Sequence, residues 1–370
     1  MSIFLTIAAD HDPQLSEQLA ELPRLRALAR NAVPAGFEQY FRRRAQVQSV
    51  HGSVSIEGNP LDLQTVQLAT LDLGFTDPHR REASNTGRAY RLIRRLAADP
   101  DVRIDEGLLR LLNVTVLDGM PGPAAQRAGQ WRSSAAMVIN ISTRQFVYTG
   151  PPAEWVPGLL AGLIEQIPRW QDQDHPEIAA AKAHFSLVSI HPFADGNGRS
   201  ARLLADLMLA QTDCDADGMI ALSESIFARQ AEYYRSLQES QGPAFSEHVN
   251  ATPFLRFHTD ALVEATRVLE RSATALQRRQ LALSTQHPAV MNTRRMIGLN
   301  SILEFGQVTT ASYADLAGCA QTTAFKDLAA LVEVGLVRRV GRGKSSAYEL
   351  TDLATSLFIS SERNSGRPDE

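Results

Sequence analysis

Apolar residues recur every three to four positions through LSEQLAELPRLRALARNAV and again through NTGRAYRLIRRLAADP, the spacing that gives a helix one buried face. The arginines of these segments fall between the apolar positions and read as solvated faces. Between Met120 and Pro157 the rhythm changes. PGPAAQRAGQ is loop-like, and AAMVINISTRQFVYT sets β-branched and aromatic residues on both sides of a polar STRQ break, predicting a short hairpin over Ala136 to Thr149 that ends at Pro151 and Pro152. Helical patterning resumes in WVPGLLAGLIEQI and PEIAAAKAHFSLVSI, returns after a polar segment in ARLLADLMLAQ, and continues through SIFARQAEYYRSLQES and TPFLRFHTDALVEATRVLERSATALQRRQLAL to about His287.

Beyond His287 the elements shorten. RRMIGLNSILEFG, YADLAGCA and QTTAFKDLAALVEVG read as three helices, and LVRRVGRGKSSAYEL as two strands around a Gly-Arg-Gly-Lys turn, the pattern of a winged helix-turn-helix. The predicted fold is mainly α: a helical bundle with a short β-hairpin, followed by this small domain. The division is an N-terminal helical region over 1–110, a helical core over 111–287, the winged domain over 288–352, and a flexible tail over 353–370.

Composition narrows the class. A chain of 370 residues exceeds the usual single core, and 44% hydrophobic with 21% charged residues is ordinary for a folded protein. The net charge of -4 gives no global attraction to nucleic acid or anionic membrane, so such binding needs a local patch. Cys214 and Cys319 lie far apart without metal-ligand spacing, which fits a reducing cytoplasm rather than a disulfide framework. The opening MSIFLTIAADHDPQ has a short apolar run, no basic start and an early Asp10; neither a signal peptide nor a membrane helix is expected.

The densest chemistry lies in HPFADGNGRSAR, His191 to Arg202. Pro192 cannot continue a helix, so His191 stands at a helix end or just past it. Gly196 and Gly198 allow a tight turn, and the amides of Gly196, Asn197, Gly198 and Arg199 would open the next helix, where free N–H groups and the macrodipole attract an anion. Arg199 and Arg202, three apart, would project side by side to clamp phosphates. Asp195 is a hard ligand suited to Mg²⁺, and His191 a base of near-neutral pKa. Each residue singly has an ordinary reading as cap, turn, solvated face or helix end. It is their joint order and spacing that points to a phosphate site.

This segment resembles the signature of Fic (filamentation induced by cAMP) proteins, HPFx(D/E)GNGRxxR, at every specified position: His191, Pro192, Phe193, Asp195, Gly196, Asn197, Gly198, Arg199 and Arg202. The likeness extends to His184 and Phe185, to the hairpin ending VYTGPP, and to SIFARQAEYYRSL, about residues 45 to 250, with the winged helix as a further shared part. It implies that 111–287 is a catalytic core moving AMP from ATP onto a Ser, Thr or Tyr hydroxyl of a target protein or of itself. His191 would be the base and Asp195 would hold Mg²⁺ or Mn²⁺. Asn197 and the Gly196 and Gly198 amides would bind the α- and β-phosphates, Arg199 the β- and Arg202 the γ-phosphate, with Phe193 anchoring the loop. Tyr234 would border the nucleoside. A homodimer is compatible with the resemblance.

Upstream, Ser53-Val-Ser-Ile-Glu57-Gly58 resembles the Fic inhibitory motif (S/T)xxxE(G/N) through Ser53, Glu57 and Gly58. Glu57 paired with Arg202 would remove the guanidinium that the γ-phosphate needs and repel the triphosphate. The same carboxylate could orient water for deAMPylation; the two roles are compatible. The predicted hairpin resembles the Fic flap, with Met137, Val138, Ile139, Val147 and Tyr148 positioned to dock a target segment as an added strand. In the winged helix, Thr322, Thr323 and Lys326 fall early on the recognition helix and Arg339, Arg342 and Lys344 in the wing, a disposition suited to DNA. Winged helices also dock proteins, and both readings stand. Two further functional classes remain: a DNA-binding regulator whose Fic domain senses nucleotide, and a hydrolase with His184, His191 and Asp195 as metal ligands.

Overall fold

The computed structural model describes residues 5–10, 12–71, 75–139, 146–341 and 346–363. After a short strand β1 (Thr6–Ala8), helix starts follow local chemistry. α1 (Pro13–Ala32) opens on Asp12, whose carboxylate accepts from the Gln14 and Leu15 amides. α2 (Glu38–Ile56) follows; then α3 (Leu63–Ala69), α4 (Pro78–Ala97) and α5 (Glu106–Leu117) are capped in turn by the side chains of Asp62, Asp77 and Asp105. A single turn α6 (Pro123–Gln126) precedes the hairpin of β2 (Met137–Ile139) and β3 (Phe146–Thr149). Val138 faces Tyr148, and a bulge follows before Ile139 meets Phe146. The predicted hairpin is thus present as these two strands, while its tip at 140–145 lies outside the described residues.

α7 (Val156–Gln173), α8 (Pro176–Ile190), α9 (Asn197–Gln211), α10 (Leu222–Ala228) and α11 (Gln230–Gln241) complete the bundle together with α12 (Thr252–Gln286). α8 is buried on nearly every side, with Ile178, Ala180, Ala183, Phe185, Leu187 and Ile190 among its buried residues, as befits a helix surrounded by others. It packs against α7, α9 and α12, and α9 packs also on α4 and α5. α12 is 35 residues long, roughly 50 Å at 1.5 Å per residue, and its length lets it meet α1, α8, α10, α11 and the C-terminal helix. Because α1 packs on α12 and α2 on α10, the N-terminal helices share one core with the rest of the bundle. β1 pairs in parallel with β4 (His248–Asn250), a pairing missed from sequence because three-residue strands carry too little alternation.

The C-terminal region is α13 (Thr293–Phe305), α14 (Thr310–Leu316) and α15 (Gln321–Glu333), then antiparallel β5 (Val337–Val340) and β6 (Ala347–Leu350), with Val308 bridging Tyr348. The flexible tail expected over 353–370 is helical as far as Arg363, and 364–370 lie outside the described residues. Residues 352–363 form α16 (Asp352–Arg363), which lays the buried Ala354 and Phe358, four apart on one face, against α12. This region also grips α2: Glu304 accepts from Arg44 Nε at 2.6 Å and from Gln48 Nε2 at 2.8 Å. Among the described residues, no helix is long and apolar enough to cross a membrane.

Candidate active site

α8 ends at His191, which adopts a left-handed backbone (φ 51°, ψ 58°). For a residue with a Cβ this conformation costs about 1–3 kcal/mol, and it persists only where neighbours hold it. Arg132 supplies that hold. Its Nε donates to the His191 carbonyl at 2.7 Å, its backbone amide to Pro192 O at 2.8 Å, and its Nη2 to Pro151 O at 2.6 Å. The imidazole Nδ1 lies 3.2 Å from the Val188 carbonyl. A carbonyl only accepts, so Nδ1 carries the proton and Nε2 keeps its lone pair. Burial, only partly offset by the Val188 carbonyl and Glu57, holds His191 below the ordinary 6.5 and therefore neutral near pH 7.

The turn from α8 into α9 is closed by its own residues. Asn197 Nδ2 donates to Phe193 O at 2.9 Å while its Oδ1 accepts from Phe193 N at 2.8 Å, so this side chain braces the loop. Phe193 is buried against Trp131, with ring centroids 5.0 Å apart. Gly196 sits at φ 76°, and a Cβ there would stand 2.9 Å from Asn113 Nδ2. Asn113 itself was missed by sequence reasoning. It is fully buried in α5, donating to Asp195 O at 2.8 Å and accepting from Gly129 N at 2.9 Å. The signal was available: in EGLLRLLNVTVL an asparagine occupies a position on the apolar stripe with Leu109, Leu112 and Val116.

Arg202, on the first turns of α9, has a side chain 1% exposed. Its Nε donates to Ser53 Oγ at 3.1 Å, and its Nη2 to Ser53 O at 2.8 Å and to Glu57 Oε1 at 2.6 Å. Glu57 caps the end of α2, and Gly58 (φ 88°) turns the chain away. Burial raises the Glu57 carboxyl, but Arg202 and then Arg199 outweigh it and hold the group below its usual 4.5. A Cβ added to Gly198 would collide with Glu57 Oε1, so the carboxylate lies against the opening turn of α9. The carboxylate thus lies where the open end of a helix favours an anion. Gln230 Nε2 and the Tyr234 hydroxyl both donate to the Ile56 carbonyl, at 3.0 and 2.9 Å, fixing the turn that carries it.

Arg199 is placed differently from the expectation of a phosphate clamp beside Arg202. Its side chain is 4% exposed, and its guanidinium stands 2.8 Å from Glu82 of α4 and 3.3 Å from Asp195. Glu82 in turn accepts from Asn59 Nδ2 at 2.8 Å, linking the turn after α2 to the motif through a carboxylate that no local pattern had marked. Asp195 is 54% exposed; Gly196 N and Arg199 engage its Oδ1, and no described residue engages Oδ2.

A cavity of about 570 Å³ opens over these groups, lined by Glu57, Gly198, Arg202, His191, Tyr234 and the hairpin residues Val138 and Val147. Tyr148 also reaches it, but the ring is buried and its hydroxyl donates to Ser189 O at 2.8 Å. Of the other hairpin residues expected to dock a target, Met137 is 68% exposed and Ile139 continues the strand. At Thr149 the outer side of β3 is taken by residues 243–245, with Thr149 N donating to Pro243 O and Phe245 N to Thr149 O, while no described residue pairs with the outer edge of β2. His184, by contrast, is wholly buried, its Nε2 3.1 Å from the Tyr233 hydroxyl and its ring packed on Phe254 and His258. Among the described residues no group of three His, Cys, Asp or Glu could hold a metal.

In the C-terminal region Thr322 and Lys326 are exposed and Thr323 half-buried on α15, and Arg339 Nη2 donates to Ser346 Oγ at 2.7 Å. Arg342 and Lys344 lie outside the described residues. Asp327, on the same helix, is buried between Arg294 and Arg295 and does not oppose the basic face.

Residues 103–209 match the model of the Fic/DOC family. The protein adenylyltransferase Fic of Drosophila melanogaster is 32% identical over 176 residues, 44% of this chain and 33% of the relative. That of Drosophila ananassae is 45% identical over 71 residues, 18% of this chain and 14% of its own. The chain thus spans about a third or less of the length of these curated relatives. A Fic family protein from Desulfovibrio desulfuricans G20 superposes with a TM-score of 0.59 at 24% identity, covering 94% of this chain and 98% of that one. A Fic domain-containing signaling protein from Bacteroides thetaiotaomicron gives 0.53 at 21% identity, over 70% and 96%. These likenesses show a Fic-type helical fold.

Proposed function

We propose that this chain is a protein adenylyltransferase held off by Glu57. The single observation that carries this reading is the Glu57 carboxylate lodged at the start of α9 and bonded to Arg202 at 2.6 Å, where a phosphate would sit in this reading. With Glu57 displaced, the α9 amides and Arg202 would receive the triphosphate of ATP. Asp195, whose Oδ2 no described residue engages, would hold Mg²⁺ or Mn²⁺, which binds through one or two carboxylates plus substrate phosphates and would neutralise phosphate charge. His191 Nε2 would take the proton of a target Ser, Thr or Tyr hydroxyl as that oxygen bonds to the α-phosphorus. The bond from the α-phosphorus to the bridging oxygen breaks, and pyrophosphate leaves. This chemistry is positioning and charge stabilisation around a single proton acceptor.

The open edge of β2 would receive the target chain as an added strand, which fixes the acceptor hydroxyl without requiring a particular sequence. A second reading, a DNA-binding regulator, draws support from the exposed Thr322 and Lys326 beside an internally neutralised Asp327. Three helices and an antiparallel pair would then act as a winged helix-turn-helix on DNA.

Incubation with α-labelled and γ-labelled ATP tests the proposal in the wild type, Glu57→Gly and Glu57→Gly/His191→Ala. Self-modification by the α-label alone, in Glu57→Gly alone, is the expected result. Label from the γ-position would change the transferred group. No label in any variant, with salt-sensitive DNA binding, would favour the regulator.

A further inference from the structure

Behind the helix that carries Glu57 lies a second cavity of about 390 Å³, between α2, α4 and the turn from Asp215 to Ile220. It shares no lining residue with the cavity over His191. Five guanidiniums converge on it: Arg42 and Arg43 from α2, and Arg91, Arg94 and Arg95 from α4. Three of them meet carboxylates. Arg42 pairs with Asp217, Arg94 with Asp215, and Arg43 stands 3.6 Å from Asp315.

Arg91 and Arg95 have no carboxylate partner among the described residues. Arg91 makes one hydrogen bond of 3.3 Å, to the Thr70 carbonyl. Burial and the neighbouring Arg43 hold its guanidinium below the usual guanidinium range, with Asp315 offsetting only part of this. On the floor, Asp206 accepts from the Tyr90 hydroxyl at 2.8 Å and burial pushes its carboxyl up to about 7, which reduces its charge, while Asp215 is taken by Arg94. Like charges gathered in a half-enclosed space repel, and a bound anion relieves that repulsion. Two guanidiniums one helical turn apart present forks suited to phosphate oxygens, and the volume falls in the range of small-molecule sites.

We propose that this cavity binds a small polyanion, a diphosphate or triphosphate group, held chiefly by Arg91 and Arg95. The site stands independently of the adenylyltransferase reading, since it shares no residue with it. Inorganic pyrophosphate, titrated calorimetrically without divalent cations, is the probe. Three chains are compared: wild type, in which Glu57 lies against the start of α9, Arg91→Ala/Arg95→Ala and Arg91→Lys/Arg95→Lys.

Binding by the wild type is expected, with a loss of at least tenfold in the double alanine variant and partial recovery in the double lysine variant. Alanine favours helix at both positions, and thermal melts of each chain report folding. Absence of pyrophosphate binding by the wild type, or unchanged affinity in the folded double alanine variant, would overturn the proposal. ATP competing with pyrophosphate on the wild type would assign the site to nucleotides, and failure to compete would assign it to the inorganic anion.

Discussion

Glu57→Gly should raise ATP affinity while lowering the stability of the ligand-free protein. The contact removed is one charge-assisted hydrogen bond of 2.6 Å, between a guanidinium 1% exposed and a carboxylate 31% exposed. Hydrogen bonds to charged groups contribute about 1.5–3 kcal/mol, and the partial exposure of Glu57 puts this one near the lower end, about 1.5 kcal/mol. Arg202 keeps Ser53 Oγ and the Ser53 carbonyl as acceptors, so its charge is not left bare. ATP binding to the wild type must first break this contact, because carboxylate and phosphate together at about 4 Å would repel by roughly 4 kcal/mol at an effective dielectric of 20. At 1.4 kcal/mol per factor of ten, removing the carboxylate should therefore tighten ATP by about tenfold. Glu57→Gln, which retains a neutral acceptor, should fall between. Isothermal titration with ATP and Mg²⁺ and urea denaturation of each chain measure both effects. Equal ATP affinity within a factor of two in all three folded chains would refute the reasoning.

Three other outcomes follow from the geometry. Since the folded-state value of Glu57 lies below 4.5, its contribution is fully present above 4.5 and lost only as pH falls through the lower folded value. Wild-type transfer should therefore stay low at pH 7.5, 6.5 and 5.5, and a rise across that range would contradict the assignment. The buried His258 has its value pushed down to about 4 from 6.5 by burial, so its contribution is present above 6.5 and lost as pH falls towards 4. Urea denaturation should show about 2 kcal/mol of stability lost from this residue between pH 7 and 5, reduced in His258→Phe. Asn113→Ala strips partners from the Asp195 carbonyl and the Gly129 amide; it should cost about 2–4 kcal/mol by urea midpoint, and in a Glu57→Gly background lower kcat more than ATP affinity.

Residues contiguous in the chain were legible before the fold was known. HPFADGNGRSAR is read from sequence because a proline, two glycines and a helix start act on their immediate neighbours, and those local preferences survive folding. The alternation of helix and loop, the hairpin and the shift to short elements after His287 were legible for the same reason, since periodicity records which face is buried. The tail was misread because the polar residues of 352–363 obscured the two apolar positions, Ala354 and Phe358, that dock it.

Tertiary structure alone decided which groups meet. Arg199 and Arg202 look alike at their spacing, yet one is taken by Glu82 and Asp195 and the other by Glu57 and Ser53. Arg132 fastens the left-handed His191 from 59 residues away, and nothing around it in sequence marks that task. Nor does periodicity distinguish Arg91 and Arg95, which ride on a helix face that reads as solvated but converge with α2 on a cavity. A pattern of apolar and polar positions records whether a side chain leaves water. The identity of a distant partner depends on how helices cross, and that is settled only when the whole bundle packs.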